Sequence, residues 1–335
     1  MNTLDLITAN DINKILTKKE NEIINIIKDA YIEHYMGNTS LPHSSFLRFP
    51  NNKNNRIIGL PAYIKGANYE LAGLKWISSF PENIYLNKER ASAILVINNM
   101  TDGRVETILE SSIISAKRTA ASAALAAKCI HSNVNETTLG LIGCGRINYE
   151  IFSFINVVFP HIKQLYLYDI SSERANRFVA QAKATNCSIN ITVVDTYQEI
   201  FSNTSLISLA TTVSSPYIFD ISMHQKNCTI LNISLRDLAP EFILLCDNVV
   251  DDIDHVCREK TSIHLASQLA GNHDFVSCTL ADILVNNYYL RKSPSTPVVF
   301  SPFGLGILDL SLGYYVQQKA IELHMGTKIL NFYTD

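Results

Sequence analysis

The chain has 335 residues, 47% of them hydrophobic and 18% charged, which is long for one core and too apolar for a disordered chain. Its 28 basic and 31 acidic side chains leave a net charge of −3, which argues against a protein that grips nucleic acid through excess Lys and Arg. The seven cysteines are an odd number without a Cys-x-x-Cys pair, so neither a disulfide framework nor a Cys₄ zinc site is expected.

Asp5 and Asp11 stand where a signal peptide needs basic residues. The longest uncharged stretch, 200–219, is interrupted by Asn203, Pro216 and several Ser and Thr, so a cytoplasmic protein without a membrane span is expected. Residues 1–35 read as helix, with a cap at Ala9-Asn10-Asp11 and apolar side chains at helical spacing from Ile24 to His34. Residues 45–49 and 56–63 read as strands around an Asn-rich turn, followed by strands at 72–78, 93–98 and 105–109, the last two joined through Asp102-Gly103. Together these predict an antiparallel α+β region.

The texture changes after Glu110. Residues 112–130 form an Ala-rich helix with Arg118 near its start. Apolar strands then alternate with helices: strands at 138–142, 164–169, 191–194, 206–210, 229–233 and 248–250, helices at 149–159 and 172–185. That alternation predicts a doubly wound parallel sheet. After a loop at 291–297, residues 298–300, Gly304 and a helix at 310–324 are expected to return to the first domain.

The strongest motif is Gly143-Cys144-Gly145-Arg146-Ile147-Asn148, which turns a buried strand into a helix. The first glycine makes the turn, the second lets a pyrophosphate approach, and the helix N-terminus meets its charge. Asn148 replaces the third glycine, which predicts looser packing of helix on strand. Asp169 ends the next strand, where a carboxylate binds ribose hydroxyls and repels a 2′-phosphate, so NAD is expected in preference to NADP. Asp237 follows another buried strand, at the edge where open α/β sheets place ligands. Its neighbour Arg236 leaves open a plain loop ion pair. His255, Cys257 and His264 lack a ligand spacing, and no metal is expected. Cys144 reads as filler, and Asp251-Asp252 as a strand end and helix cap.

Further segments add a family resemblance: Arg56-Ile-Ile-Gly-Leu-Pro61, Gly73-Leu-Lys75, Ile114-Ser-Ala-Lys-Arg118, Gly143-Cys-Gly145, Tyr168-Asp169, Thr211-Thr212-Val213, Asn232 to Asp237, Gly304 to Asp309 and Met325-Gly-Thr327. Over nearly its whole length the chain resembles the ornithine cyclodeaminase/mu-crystallin family. Lys75-Trp-Ile77, Glu89-Arg-Ala-Ser92, Asn232-Ile-Ser234, Val250-Asp-Asp252 and Cys257-Arg-Glu-Lys-Thr261 look most like its 2,3-diaminopropionate branch, the N-(1-amino-1-carboxyethyl)glutamate dehydrogenases of siderophore and peptide antibiotic pathways. The segment 280–291 and Leu308 depart from that pattern.

The resemblance implies a Rossmann-type NAD domain at 116–297 and a substrate-binding and dimerisation domain at 1–115 with 298–335. It implies that Arg48, Lys75 and Arg118 hold an amino-acid carboxylate, with Arg90 a candidate for a second one. Lys75 and Asp237 would be catalytic. NAD would meet Ser92, Arg118, Gly143, Gly145, Arg146, Ile147, Asp169, Thr211, Thr212, Val213, Ser234 and Gly304. The implied activity is oxidative cleavage of an amino-acid-derived secondary amine to 2-oxoglutarate and 2,3-diaminopropionate, by a homodimer whose pathway partner is a pyridoxal-phosphate-dependent synthase. The alternatives are ornithine cyclodeamination, an imine reductase or alanine dehydrogenase, and a non-enzymatic binder like the crystallin members.

Overall fold

The computed structural model describes residues 3–86, 88–220, 222 and 224–334. The chain divides into two compact units, Met1–Arg118 with Leu305–Asp335, and Thr119–Gly304.

The first unit opens with a strand, β1 (Thr3–Ile7), before the helices α1 (Ala9–Leu16) and α2 (Glu20–Tyr35). The expected helix over 1–35 is therefore corrected at both its start and its middle. Leu4 and Ile7 are buried from a strand, and the cap of α1 is Thr8. The Thr8 hydroxyl accepts from the Asp11 N–H while the Asp11 carboxylate accepts from the Thr8 N–H, a reciprocal capping box. Strands β2 (Thr39–Ser40), β3 (Ser45–Phe49), β4 (Asn52–Gly66), β5 (Tyr69–Ser79), β6 (Ala91–Asn98) and β7 (Val105–Glu110) follow, and then α3 (Ser112–Ile130), within which the chain passes into the second unit.

That unit contains β8 (Thr138–Ile142), α4 (Arg146–Val158), β9 (Gln164–Tyr168), α5 (Ser172–Thr185), β10 (Asn190–Val193), α6 (Tyr197–Asn203), β11 (Leu206–Leu209), β12 (Thr229–Asn232), α7 (Pro240–Leu245), β13 (Asp247–Val250), α8 (Ile253–Val256), α9 (Ser262–Ala270), β14 (Val276–Thr279), α10 (Leu280–Asn286) and β15 (Val298–Ser301). The sheet order is β10-β9-β8-β11-β12-β15-β13-β14, with parallel pairing throughout. The order reverses between β8 and β11, the switch point at which such sheets bind ligands. The expectation that residues 298–300 leave this domain is overturned. Val298, Val299, Phe300 and Ser301 are each fully buried, and β15 lies between β12 and β13. A run buried on both faces belongs inside a parallel sheet.

The first unit is completed by α11 (Gly306–Glu322) and β16 (Thr327–Leu330). Its sheet runs β16-β1-β7-β6-β5-β4-β2, with β3 also on β4. Pairing is antiparallel except between β1 and β7. Helix α11 packs on β4, β5 and β6. Among the described residues no helix is long and apolar enough to cross a membrane.

Candidate active site

The glycine turn lies at the switch point of the second unit. Gly143 has φ +92°, and a Cβ there would stand 2.6 Å from the Ala210 carbonyl oxygen just beyond β11. Both facts demand glycine. Gly145 is the N-cap of α4, no side chain caps that helix, and a Cβ on Gly145 would meet open space. Arg146 is exposed and Ile147 half-buried on the first turn. The first N–H groups of α4 therefore offer a place for an anion such as a pyrophosphate.

Asn148 does more than fill the third glycine position. Its amide donates to the carbonyls of Ile142 (3.0 Å) and Gly143 (2.7 Å) and accepts from the Ser208 hydroxyl (2.7 Å). The expected looser packing is replaced by a polar tie between helix, turn and β11. Asp169 is held just as firmly, its two oxygens accepting the N–H of Cys144 and of Ser171, each at 2.8 Å. Burial and the nearby Asp169 push the Cys144 thiol up to about 12, so it is no thiolate nucleophile at neutral pH.

Further along the same carboxyl edge, Asp237 is fully buried after β12. Its carboxylate accepts from the Thr211 hydroxyl at 2.5 Å and from the Ser234 hydroxyl. The Tyr217 hydroxyl is a third donor, and the backbone N–H of Tyr217 meets the Asp237 carbonyl at 3.0 Å. Burial raises Asp237 above the ordinary value of 3.8, against the opposing pull of these hydroxyls. Arg236 donates to the Glu259 carbonyl at 2.7 Å, so it is tied to a neighbouring loop. Leu235, at φ 69°, carries the strain of this tight turn. Thr212 is exposed and Val213 half-buried beside Thr211.

Gly304, at φ +94°, donates its N–H to Asp251 Oδ2 at 2.7 Å, and Phe303 donates to Oδ1 at 2.9 Å. Asp251 thus fixes the segment after β15, a role that its place in an Asp-Asp pair did not disclose. Asp252 is the N-cap of α8, as expected of the second acid.

In the first unit Lys75 on β5 is 2% exposed. Its ammonium donates to Asp309 Oδ2 at 2.6 Å and to the Ser115 hydroxyl at 3.3 Å. Arg118 Nε stands 3.1 Å from the same Asp309 oxygen. Burial pulls Lys75 down to about 8, even with Asp309 beside it. Burial works to raise Asp309, but Arg118 and Lys75 outweigh it and hold the carboxylate below its ordinary value. Two cations on one acid leave a net positive charge facing any anion that reaches them. Asp309 is carried in by α11, and the sequence assigned it no role at the site.

The other candidates make contacts of their own. Arg48 is on exposed β3, its guanidinium 5.3 Å from the Phe46 ring centre. Arg90 is half-buried and donates to the Ser79 hydroxyl at 2.9 Å. Ser92 is exposed and bonded to Ser78 at 2.8 Å, on the sheet face opposite to Lys75. All seven cysteines are free thiols. Among the described residues no group of three His, Cys, Asp or Glu could hold a metal ion.

The profile of the ornithine cyclodeaminase/mu-crystallin family matches residues 5–323. The N-((2S)-2-amino-2-carboxyethyl)-L-glutamate dehydrogenase of Staphylococcus aureus is 30% identical over 92% of this chain and 93% of its own length. Two solved structures share the fold at 22% identity. One is the Delta(1)-pyrroline-2-carboxylate reductase of Thermococcus litoralis in complex with NADH and L-proline, with a TM-score of 0.89 over 97% of this chain and 100% of that one. The other is an archaeal alanine dehydrogenase dimer with bound NAD, with a TM-score of 0.86 over 98% and 99%. The chain belongs to the ornithine cyclodeaminase/mu-crystallin family.

Proposed function

We propose that this chain is an NAD-dependent dehydrogenase that oxidises the glutamyl Cα–N bond of N-((2S)-2-amino-2-carboxyethyl)-L-glutamate. With one water and one NAD⁺ consumed, the products are 2-oxoglutarate, 2,3-diaminopropionate, NADH and a proton. The observation that carries this is the buried pair Lys75 and Arg118 sharing Asp309, a preformed holder for an amino-acid carboxylate. The choice of amine follows the Staphylococcus aureus relative. Its substrate joins nitrogen to the CH₂ of the ethyl group, and that attachment is what releases 2,3-diaminopropionate on cleavage.

When bound, NAD supplies a two-electron acceptor for hydride from the glutamyl Cα. The residues of this chain orient and move protons around that transfer. Arg118 offers a planar fork to the α-carboxylate and Lys75 a compact charge, while Asp309 keeps both in place. The glycine turn and the start of α4 take the pyrophosphate, and Asp169 takes the ribose hydroxyls. Asp237, raised by burial and ringed by hydroxyls, accepts a proton from the amine and releases it to solvent, then takes a proton from the water that attacks the imine and returns it to the departing nitrogen.

A homodimer belongs to the same proposal, supported by the apolar outer face of the first sheet. Leu47, Trp76 and Ile94 are 47%, 40% and 42% exposed there. So does a cytoplasmic pathway in which a pyridoxal-phosphate-dependent synthase makes the amine, for a siderophore or peptide product. The test is the full chain with NAD and either this amine or L-ornithine. NADH with equal 2,3-diaminopropionate is expected from the first, whereas proline from ornithine at constant NADH makes the protein a cyclodeaminase.

A further inference from the structure

The face of the first sheet that carries Lys75 continues beyond it. Side chains two apart on a strand share a face, so Lys75, Ile77 and Ser79 of β5 point the same way. Ser79 pairs across the sheet with Arg56 of β4, and Arg56 pairs in turn with Arg48 of β3. Ser79 is buried, and its hydroxyl accepts from Arg90 Nη1 at 2.9 Å. The backbone carbonyl of Arg90 also receives the Phe80 N–H at 2.8 Å, which anchors the arginine to the end of β5. One guanidinium, from the segment before β6, thus reaches the buried serine, and a second is carried by the residue of β4 paired across the sheet from it.

This arrangement is unfavourable by itself. Burial and then the charge of Arg56 both work against the ionised form of Arg90. Like charges drawn together in a half-buried place repel, and an anion between them removes the repulsion and takes hydrogen bonds from both forks. Ser79 lies four residues from Lys75 along β5, about 13 Å at the strand rise. Long stems from both ends shorten that span, so one small molecule with a carboxylate at each end fits the face.

We propose that Arg90, bonded to Ser79, and Arg56, paired across the sheet from that serine, form a second anion subsite that takes the distal carboxylate of a dicarboxylate substrate. It rests on Lys75 and Arg118 holding the first carboxylate. The pair is then a specificity device, separating a substrate with a glutamyl arm from monocarboxylates such as proline, alanine or ornithine, whose distal ends carry no negative charge.

The test is calorimetric titration of the full chain, with and without NADH, using 2-oxoglutarate and the monocarboxylate 2-oxobutyrate. The wild type is expected to bind 2-oxoglutarate at least tenfold more tightly, and Arg56→Gln and Arg90→Gln should each bring that ratio close to one. Ser79→Ala leaves both cations but frees Arg90, and it serves where a Gln variant does not fold: a reduced ratio supports the subsite. A wild-type ratio near one, no measurable binding of 2-oxoglutarate, or a ratio unchanged in the variants overturns it. The dehydrogenase activity stands apart from this readout. A tenfold ratio with no NADH formed from the amine keeps the subsite and removes the activity, and NADH formation with a ratio near one does the reverse.

Discussion

Lys75 Nζ and Asp309 Oδ2 are 2.6 Å apart with both side chains buried, although 234 positions separate them in the chain. The pair joins the middle of a sheet to the helix that closes the first unit, and Arg118 shares the acid. Removing the acid leaves two buried cations facing each other. Asp309→Asn is expected to destabilise the protein by about 3–5 kcal/mol, the usual consequence of breaking a buried ion pair from one side. Urea unfolding measures it. The folded-state value of Asp309 is depressed, so its contribution is present above the ordinary 3.8 and is lost as pH falls through the lower folded value. The Asn variant should lack that part of the acid sensitivity.

On the proposed function the same cluster sets the alkaline limb of activity. Lys75, pulled down to about 8, would attract a substrate carboxylate only while protonated, so kcat/KM should fall as pH rises through that value. Asp237 accepts protons only when ionised, so the acid limb should sit above 3.8. Lys75→Arg should move the alkaline limb upward and leave the acid limb in place. An unmoved alkaline limb in that variant would show that another group controls it.

On the proposed reading, cofactor preference depends on Asp169. At least tenfold tighter binding of NADH than NADPH is expected, more than about 1.4 kcal/mol of discrimination. Asp169→Ser should lose it, read by titration of nicotinamide fluorescence. Equal affinities in the wild type would contradict the assignment.

Gly143 tests the turn itself. Gly143→Ala puts a methyl 2.6 Å from the Ala210 carbonyl at a backbone angle that alanine rarely adopts. NADH affinity should drop by two decades or more, or the second unit should lose stability in a thermal melt. An alanine variant with normal affinity and melting temperature would mean that the turn relaxes without consequence.

The nucleotide turn was legible in the sequence because its demands are local: a strand, two glycines and a helix within a few residues. The helices 112–130 and 172–185 were legible for the same reason, through propensity and period. Asp309 was not, since what makes it a site residue is a contact with a strand far away in sequence. Tyr217 escaped notice likewise, and Asp251 read only as a strand end, because their partners arrive from other segments of the sheet. Asn148 misled in a different way. Amide hydrogen bonds to the turn's own carbonyls do what a glycine does by close packing, and no spacing rule announces that. Residues 298–301 looked like the start of the returning segment, and only their burial on both faces assigns them to the parallel sheet.

Asp237→Asn separates chemistry from binding. It keeps the size and one acceptor but no base, so NAD and substrate affinities should stay within a few-fold while turnover falls by at least two decades. Normal turnover in this variant would move the proton acceptor elsewhere.

The most direct test of the central claim follows the hydrogen. N-((2S)-2-amino-2-carboxyethyl)-L-glutamate deuterated at the glutamyl Cα, incubated with the full chain and NAD, should give NADH carrying one deuterium, in amounts equal to the 2-oxoglutarate and 2,3-diaminopropionate released. Mass spectrometry of the three products reads this in one experiment. Unlabelled NADH, or products formed while NADH stays constant, would contradict net oxidation at that carbon.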